Sequence, residues 1–208
     1  MEYIKIEDNN YTVEDIEKVI KKLKAGGVVI LPTDTVYAVA ADCLNEDAVI
    51  KLYEFKHRNF SNPCNILVSN IEMIKKVTKG ISNAEERIIK RFFPGALTIV
   101  FEKNNVIPSI VNSNLSTIGI RMPDNKFLLE LINNFGRPIV ATSLNFAGKK
   151  SMTNVNNLPE EFLRHSDLIV DGGEAAIGIA STIIKIENEE IKILREGPIS
   201  KEELERTC

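Results

Sequence analysis

Histidine and cysteine are scarce in this chain of 208 residues, with two of the first and three of the second. Cys43, Cys64 and Cys208 are odd in number and widely spaced, which argues against a disulfide framework or a zinc ligand set and fits a reducing compartment. His57 and His165 are distant from each other and have no ligand partner at useful spacing, so neither reads as a metal ligand. No apolar run approaches the ~20 residues of a membrane helix. The opening Met1-Glu2-Tyr3-Ile4-Lys5 lacks the basic-then-apolar layout of a signal peptide. The expectation is a soluble, cytoplasmic protein with no membrane partner. Positive charge is not in excess either: 26 basic against 29 acidic residues gives −3. Any anion site must therefore be a local basic cluster. Walker A, G-x-G-x-x-G, H-E-x-x-H and paired C-x-x-C patterns are all missing, and the one Gly-Lys step, Gly148-Lys149, continues into Lys150. The P-loop, dinucleotide and metallopeptidase readings fall away.

What is present is an ordinary globular composition, 44% hydrophobic and 26% charged. At this length roughly 70% of the unfolded surface can be buried, and one domain over residues 1–208 is the expectation. Thr12 offers an N-cap, Val13, Ile16, Val19, Ile20 and Leu23 follow at helical spacing, and Gly26-Gly27 closes the helix. Val28–Leu31 is a β-branched run of the kind buried on both faces of a sheet. Further strands are expected at Ile4–Ile6, Asn65–Val68, Leu97–Phe101, Thr117–Arg121, Pro138–Thr142, Leu168–Val170, Ser181–Ile186 and Ile191–Leu194. Helices are expected at Asp47–Lys56, Asn83–Phe92, Lys126–Asn134, Pro159–Arg164 and Ser200–Arg206. Interleaved strands and helices predict an α/β fold with a mixed sheet flanked by helices.

Lys56-His57-Arg58 stands where a helical pattern breaks into a polar loop, and Pro138–Ala141 runs into Thr142-Ser143-Leu144-Asn145. A compact ammonium and a planar guanidinium suit a polyanion, and hydroxyl and amide groups at a strand end suit a ribose or phosphate edge. The same Lys-x-Arg also reads as a solvated helix end complementing the helix dipole. Thr33-Asp34-Thr35 puts three side-chain oxygens at the carboxyl end of a buried strand, where α/β proteins place ligands, or else simply satisfies its own turn. Arg121, directly before a turn, can hold a carboxylate bidentately or form a surface ion pair. Asp171-Gly172-Gly173, Gly178 and Ser181 mark a loop whose backbone can approach a ligand, and Arg195 ends another strand. Phe92–Thr98 reads as core packing around a Pro-Gly turn.

Nine short motifs now stand in order: Pro32–Tyr37, Lys56-x-Arg58, Asn62-Pro63, Phe93-Pro94-Gly95-x-Leu97-Thr98, Arg121-Met122-Pro123, Ser143-x-Asn145, Asp171-Gly172-Gly173, Ser181-Thr182-Ile183 and Leu194-Arg195-x-Gly197. In that order they resemble the threonylcarbamoyl-AMP synthase family, from about Gly26 to Pro198. The resemblance implies a YrdC-like domain, an open twisted mixed sheet with flanking helices curled around a deep basic cleft. It implies synthesis of threonylcarbamoyl-AMP and pyrophosphate from L-threonine, bicarbonate and ATP with Mg²⁺, for N6-threonylcarbamoyladenosine at position 37 of tRNA. Lys56, Arg58, Asn62, Thr117, Ser143, Asn145, Ser151 and Arg195 would surround ATP, the tetrad Lys56, Arg58, Ser143 and Asn145 being catalytic. Thr33, Arg121, Ala141 and Ser181 would hold threonine, and no protein side chain is assigned to a metal. The chain resembles the short form, which relies on separate tRNA threonylcarbamoyl-transfer proteins, with at most a weak RNA contact of its own.

Departures from the family pattern include Ala38-Val39-Ala40-Ala41, Asn59, Leu67, Leu144 and Phe146. Two other readings compete: a paralogue with a different carbamoyl acceptor, and a non-catalytic RNA-binding factor, which the net charge disfavours. The polar stretch Gly148–Asn157 is expected to act as a lid.

Overall fold

The computed structural model describes residues 2–6, 10–146 and 148–207. Cys208 lies outside them. In chain order the elements are β1 (Glu2–Lys5), α1 (Val13–Lys24), β2 (Val29–Leu31), β3 (Ala38–Asp42), α2 (Glu46–Phe55), β4 (Asn65–Leu67), α3 (Ile71–Val77), α4 (Asn83–Phe92) and β5 (Leu97–Glu102). A 3-10 turn at Ser109–Asn112 follows. Then come β6 (Thr117–Arg121), α5 (Lys126–Phe135), β7 (Ile139–Ser143), α6 (Glu160–His165), β8 (Leu168–Asp171), β9 (Thr182–Glu187), β10 (Glu190–Arg195) and α7 (Lys201–Glu205).

Local chemistry sets the helices. Thr12 and Asp15 form a reciprocal capping box on α1, and Ser82 with Glu85 and Ser200 with Glu203 repeat it on α4 and α7. Each satisfies two otherwise orphaned N–H groups and contributes about 1 kcal/mol. Ile16, Val19 and Leu23 form the buried stripe of α1, while Gly26 takes the left-handed conformation (φ 74°) after its C-cap Ala25.

Ten strands of the described residues form one open sheet in the order β1-β8-β2-β3-β7-β4-β6-β5-β9-β10. It is mixed, as expected: β1/β8, β2/β8, β4/β6 and β5/β9 are parallel, and the other neighbours antiparallel. Every residue of β2 and β3 is buried. Strand β3 was not expected from the sequence, nor was α3. Ala38-Val39-Ala40-Ala41 carries weak strand propensity, yet β3 lies between β2 and β7 with both faces covered, so burial and pairing override it. The short α3 rests on its Asn70 cap and on buried Met73, Ile74 and Val77.

No helix among the described residues is long and apolar enough to cross a membrane.

Candidate active site

Several chain segments end on one cavity of about 350 Å³. The turn after β2 brings Thr33 and Thr35, the loop after α2 brings Arg58, and β6 brings Thr117 and Arg121. Strand β7 brings Ala141 and Ser143, and Ser181 and Arg195 come from the start of β9 and the end of β10. Three arginines line it and no carboxylate does. The wall is a concentrated positive patch on a chain of formal charge −3, the local basic cluster that the composition required.

Arg121 is 6% exposed and held on three sides. Its Nε donates to the Gly95 carbonyl at 3.0 Å, Nη1 to Thr35 Oγ1 at 2.6 Å, and Nη2 to Asp34 Oδ1 at 2.5 Å. Burial lowers its pKa and the Asp34 carboxylate works against that. A guanidinium has five N–H donors, so about two remain for a ligand. Thr33 Oγ1 donates to the Val36 carbonyl at 2.6 Å and lies 2.9 Å from Thr35 Oγ1, fixing the turn that carries Asp34. Both readings of this turn hold at once: it satisfies itself, and it faces the cavity. The Phe93-Pro94 bond is cis, and Gly95 N–H donates to the Met122 carbonyl at 2.8 Å. What read as a packing motif is also the device that aims Arg121.

Elsewhere in the lining, Arg58 Nε and Nη2 donate to the carbonyls of Asn62 (3.0 Å) and Pro63 (2.7 Å). His57, between the two cations, is left-handed (φ 44°), and its N–H and that of Arg58 turn back to the Glu54 and Tyr53 carbonyls. That reversal lets the helix end present Arg58 to the cavity. Arg195 grips the Ser181 carbonyl through Nε (3.0 Å) and Nη2 (2.7 Å), and Ser181 Oγ sits 2.8 Å from Thr98 Oγ1. Burial lowers the Arg195 pKa, with Arg121 and Arg58 adding to it.

Lys56 differs from the rest. It is 7% exposed, and Nζ donates to the Ser143 carbonyl (2.8 Å), to Asn145 Oδ1 (2.7 Å) and to the Asn145 carbonyl. Ser143 Oγ donates to the same Asn145 Oδ1 at 3.0 Å. Three residues of the expected tetrad, Lys56, Ser143 and Asn145, therefore meet, and Arg58 acts on Lys56 through charge alone; Lys56 and Asn145 stand behind the wall that Arg58 and Ser143 line. Burial, then Arg58, push the Lys56 ammonium down to about 8.

Of the remaining expected residues, Thr33, Thr117, Ala141, Ser181 and Arg195 line the cavity, whereas Asn62 and Ser151 do not. Asn62 is exposed, and its carbonyl serves as an anchor for Arg58 and for Tyr53 Oη at 3.0 Å. The expected lid is tied down from Met152 onward. Met152 N–H donates to Leu144 O (2.8 Å), Tyr37 N–H to Met152 O (2.9 Å) and Ala175 N–H to Thr153 O (2.7 Å), and Val155 is buried. The bulk at Leu144 and Phe146 does not enter the cavity: Leu144 is fully buried, and Phe146 stacks on Phe162 at 4.6 Å.

Sequence reading passed over Thr98, Asn65 and Gly119. A Cβ at Gly119 would overlap Asn65 Oδ1, so this glycine is the space in which a cavity-lining amide sits. The signal was a glycine inside a strand pattern, which marks close approach. Gly119→Ala is expected to displace Asn65, lower stability by about 1–3 kcal/mol, and reduce turnover while the melting transition stays cooperative. Thermal melts beside steady-state rates check it.

Comparison with known proteins gives a consistent result. The Sua5/YciO/YrdC family model, described as "Telomere recombination", matches residues 21–197. A threonylcarbamoyl-AMP synthase of Pyrococcus abyssi is 38% identical over 88% of this chain and 54% of its own length. A Methanocaldococcus jannaschii relative, provisionally assigned the same activity, is 39% identical over 93% of this chain and 92% of its own. This chain spans about half the length of the P. abyssi relative. The crystal structure of P. abyssi Sua5 complexed with L-threonine superposes with a TM-score of 0.94 at 34% identity, over all of this chain and 61% of that one. The nine ordered motifs, the ten-stranded mixed sheet and these similarities agree, and the chain belongs to the Sua5/YciO/YrdC family.

Proposed function

We propose that this protein is an L-threonylcarbamoyladenylate synthase, a nucleotidyltransferase of the cytoplasm. The observation that carries the reading is the carboxylate-free cavity walled by Arg58, Arg121 and Arg195, with Arg121 keeping donors free. Such a wall suits one ligand with a carboxylate and another with a triphosphate. The names of the P. abyssi synthase and of its threonine complex support the same substrates.

In this reading Arg121 takes the threonine carboxylate, and the Thr98–Ser181 hydroxyl pair and Thr33 face its polar side chain. Arg58, Arg195, Ser143 and Thr117 take the nucleotide, with Lys56 and Asn145 setting the position of Ser143. The neutral threonine amine adds to the carbon of bicarbonate, losing water to give a carbamate. A carbamate oxygen then forms the new bond to the α-phosphorus as the α–β phosphoanhydride breaks, and its electron pair leaves on pyrophosphate. The arginines stabilise charge that grows in this step, the expected dominant contribution. No covalent enzyme nucleophile is needed. Burial raises the pKa of Cys64, the cavity-lining thiol, so it stays protonated.

Mg²⁺ fits as an ion carried by the nucleotide. The cavity lining offers no carboxylate, and the described residues hold no group of three metal ligands, so ATP's own oxygens would hold it while it offsets phosphate charge. The product would pass to separate threonylcarbamoyl-transfer proteins that modify tRNA, with at most weak RNA contact here. Incubation with threonine, bicarbonate, ATP and Mg²⁺ should release pyrophosphate only when threonine is present. Release without threonine dependence, or none, sinks the proposal.

The Lys56 ammonium adds a pH signature. Burial, then Arg58, hold its pKa down to about 8, and a bound triphosphate would favour the charged form and raise it. ATP binding near pH 8 should therefore take up protons, about half a proton per ATP, and affinity should fall as pH rises through 8. Uptake should vanish well below that pH, where Lys56 is already charged. Calorimetry in buffers of different ionisation enthalpy reads this directly, and Lys56→Met should abolish it.

A further inference from the structure

Strand β6 sets out the floor of the cleft in three tiers. Thr117, Gly119 and Arg121 alternate along it and all line the cavity, successive ones about 7 Å apart. Arg121 is level with Leu67 of β4, and Gly119 with Val100 of β5. One step back along β4, Asn65 comes level with Gly119 on one side and with Ala141 of β7 on the other. Because β7 runs antiparallel to β4, Ser143 stands on the Thr117 side of Ala141. Arg121 at one end and Thr117 with Ser143 at the other are thus about 13 Å apart, with Asn65 on the tier between them.

That middle tier is otherwise bare of polar side chains. Its other cavity-lining residues are Ala141, Gly119 and Val100. Gly119 leaves the room that the Asn65 carboxamide fills, since a Cβ there would overlap Asn65 Oδ1 and touch Thr98 Cγ2. No described residue hydrogen-bonds the Asn65 side chain, which is half-buried and lines the cavity rather than being sealed from it. A primary amide carries two N–H donors and an acceptor. At Asn65 they are left for a ligand.

We propose that Asn65 is a catalytic residue that binds the one-carbon unit, first as bicarbonate and then as the carbamate; this deepens the synthase reading above and rests on it. The unit must bond to the threonine amine at one end and to the α-phosphorus at the other. With threonine held at Arg121 and the nucleotide at Thr117 and Ser143, its place is the middle tier. The amine nitrogen bonds to the bicarbonate carbon as hydroxide leaves with an amine proton, as water. One carbamate oxygen then bonds to the α-phosphorus, and the electron pair of the broken anhydride bond leaves on pyrophosphate. Asn65 donates to the other carbamate oxygen and exchanges no proton. A neutral donor orients the attack without the full charge of a fourth cation, which would hold back the electron pair of the nucleophile.

The test measures pyrophosphate release against bicarbonate in CO2-depleted buffer at saturating threonine and ATP, beside calorimetry of threonine binding alone. Asn65→Ala should lower kcat/KM for bicarbonate by about 10- to 150-fold, the loss of one hydrogen bond to a charged group. Threonine affinity should stay as in the parent. Asn65→Asp keeps the shape, so it serves should Asn65→Ala fail to fold, and its negative charge should lower bicarbonate use further still. Gly119→Ala, which displaces the amide, should show the same selective loss. The proposal is overturned if both Asn65 variants use bicarbonate as the parent does, or if Asn65→Asp uses it better than Asn65→Ala. It is equally overturned if threonine affinity falls as far as bicarbonate use, which would place Asn65 in the threonine pocket. A parent protein without threonine-dependent release sinks the synthase reading itself, whereas an active parent with unmoved variants sinks only the role of Asn65.

Discussion

Arg121→Lys should raise the threonine KM by roughly 30- to 150-fold, the equivalent of losing about 2–3 kcal/mol of charge-assisted, two-point recognition. Lysine keeps the charge but is a single point, and it cannot serve the Gly95 carbonyl, Thr35 Oγ1 and Asp34 together as the guanidinium does. Arg121→Ala should act first on stability. Asp34 would stay buried with neither oxygen paired, since Oδ2 already has no partner. Breaking one side of a buried ion pair costs about 3–5 kcal/mol, or on the order of 10 °C of melting temperature in a chain this size. Adding Asp34→Asn to Arg121→Ala should recover much of that loss without restoring threonine binding. An unchanged KM in Arg121→Lys would remove threonine from this side of the cleft.

Lys56→Met should lower kcat/KM for ATP by at least about 100-fold, and Asn145→Ala by a similar factor. The double variant should be little worse than either alone. The ammonium binds the Ser143 and Asn145 carbonyls and Asn145 Oδ1, and Ser143 Oγ meets that same oxygen, so the three residues form one unit. Residues in one network couple by about 0.5–3 kcal/mol, and a double-mutant cycle measures it. Folding stability should change far less than activity in Lys56→Met, because the desolvation that lowers the ammonium's pKa is relieved as its bonds are lost. Strictly additive losses would mean that Lys56 and Asn145 act separately on the nucleotide.

The sequence revealed most where one local rule decides. Capped helices such as α1 and α4 and the β-branched strand β2 carry their signals within a few residues. Strand β3 escaped because alanine favours helix over sheet, and only the pairing of β2 and β7 on either side makes Ala38–Asp42 a strand. The candidate site was legible as an ordered set of motifs, and the three arginines it named line one cavity. Their orientation was not legible. That Arg121 leans on Gly95 and that Lys56 turns away from the cavity toward Asn145 are long-range contacts with no local signature, and the left-handed turn at His57 that aims Arg58 uses a residue type that does not announce it. Asn62 and Ser151 were assigned through the family resemblance, which does not say which way a side chain faces, and neither lines the cavity.

The path of the chain through the sheet has a consequence for how the protein comes into being. Strand β9 lies beside β5 and β10 beyond it, while β1 waits for β8, so the walls of the cleft come from Thr33 at one extreme and Arg195 at the other. A chain still being synthesised holds Arg58 and Arg121 but lacks Ser181 and Arg195, and has no finished cleft for any substrate to enter. Ligands stabilise only what they can bind. The nascent protein must therefore close its distant strand pairings unaided, a slow assembly for so non-local a topology, and no ligand of the cleft offers it help until the last strands have joined.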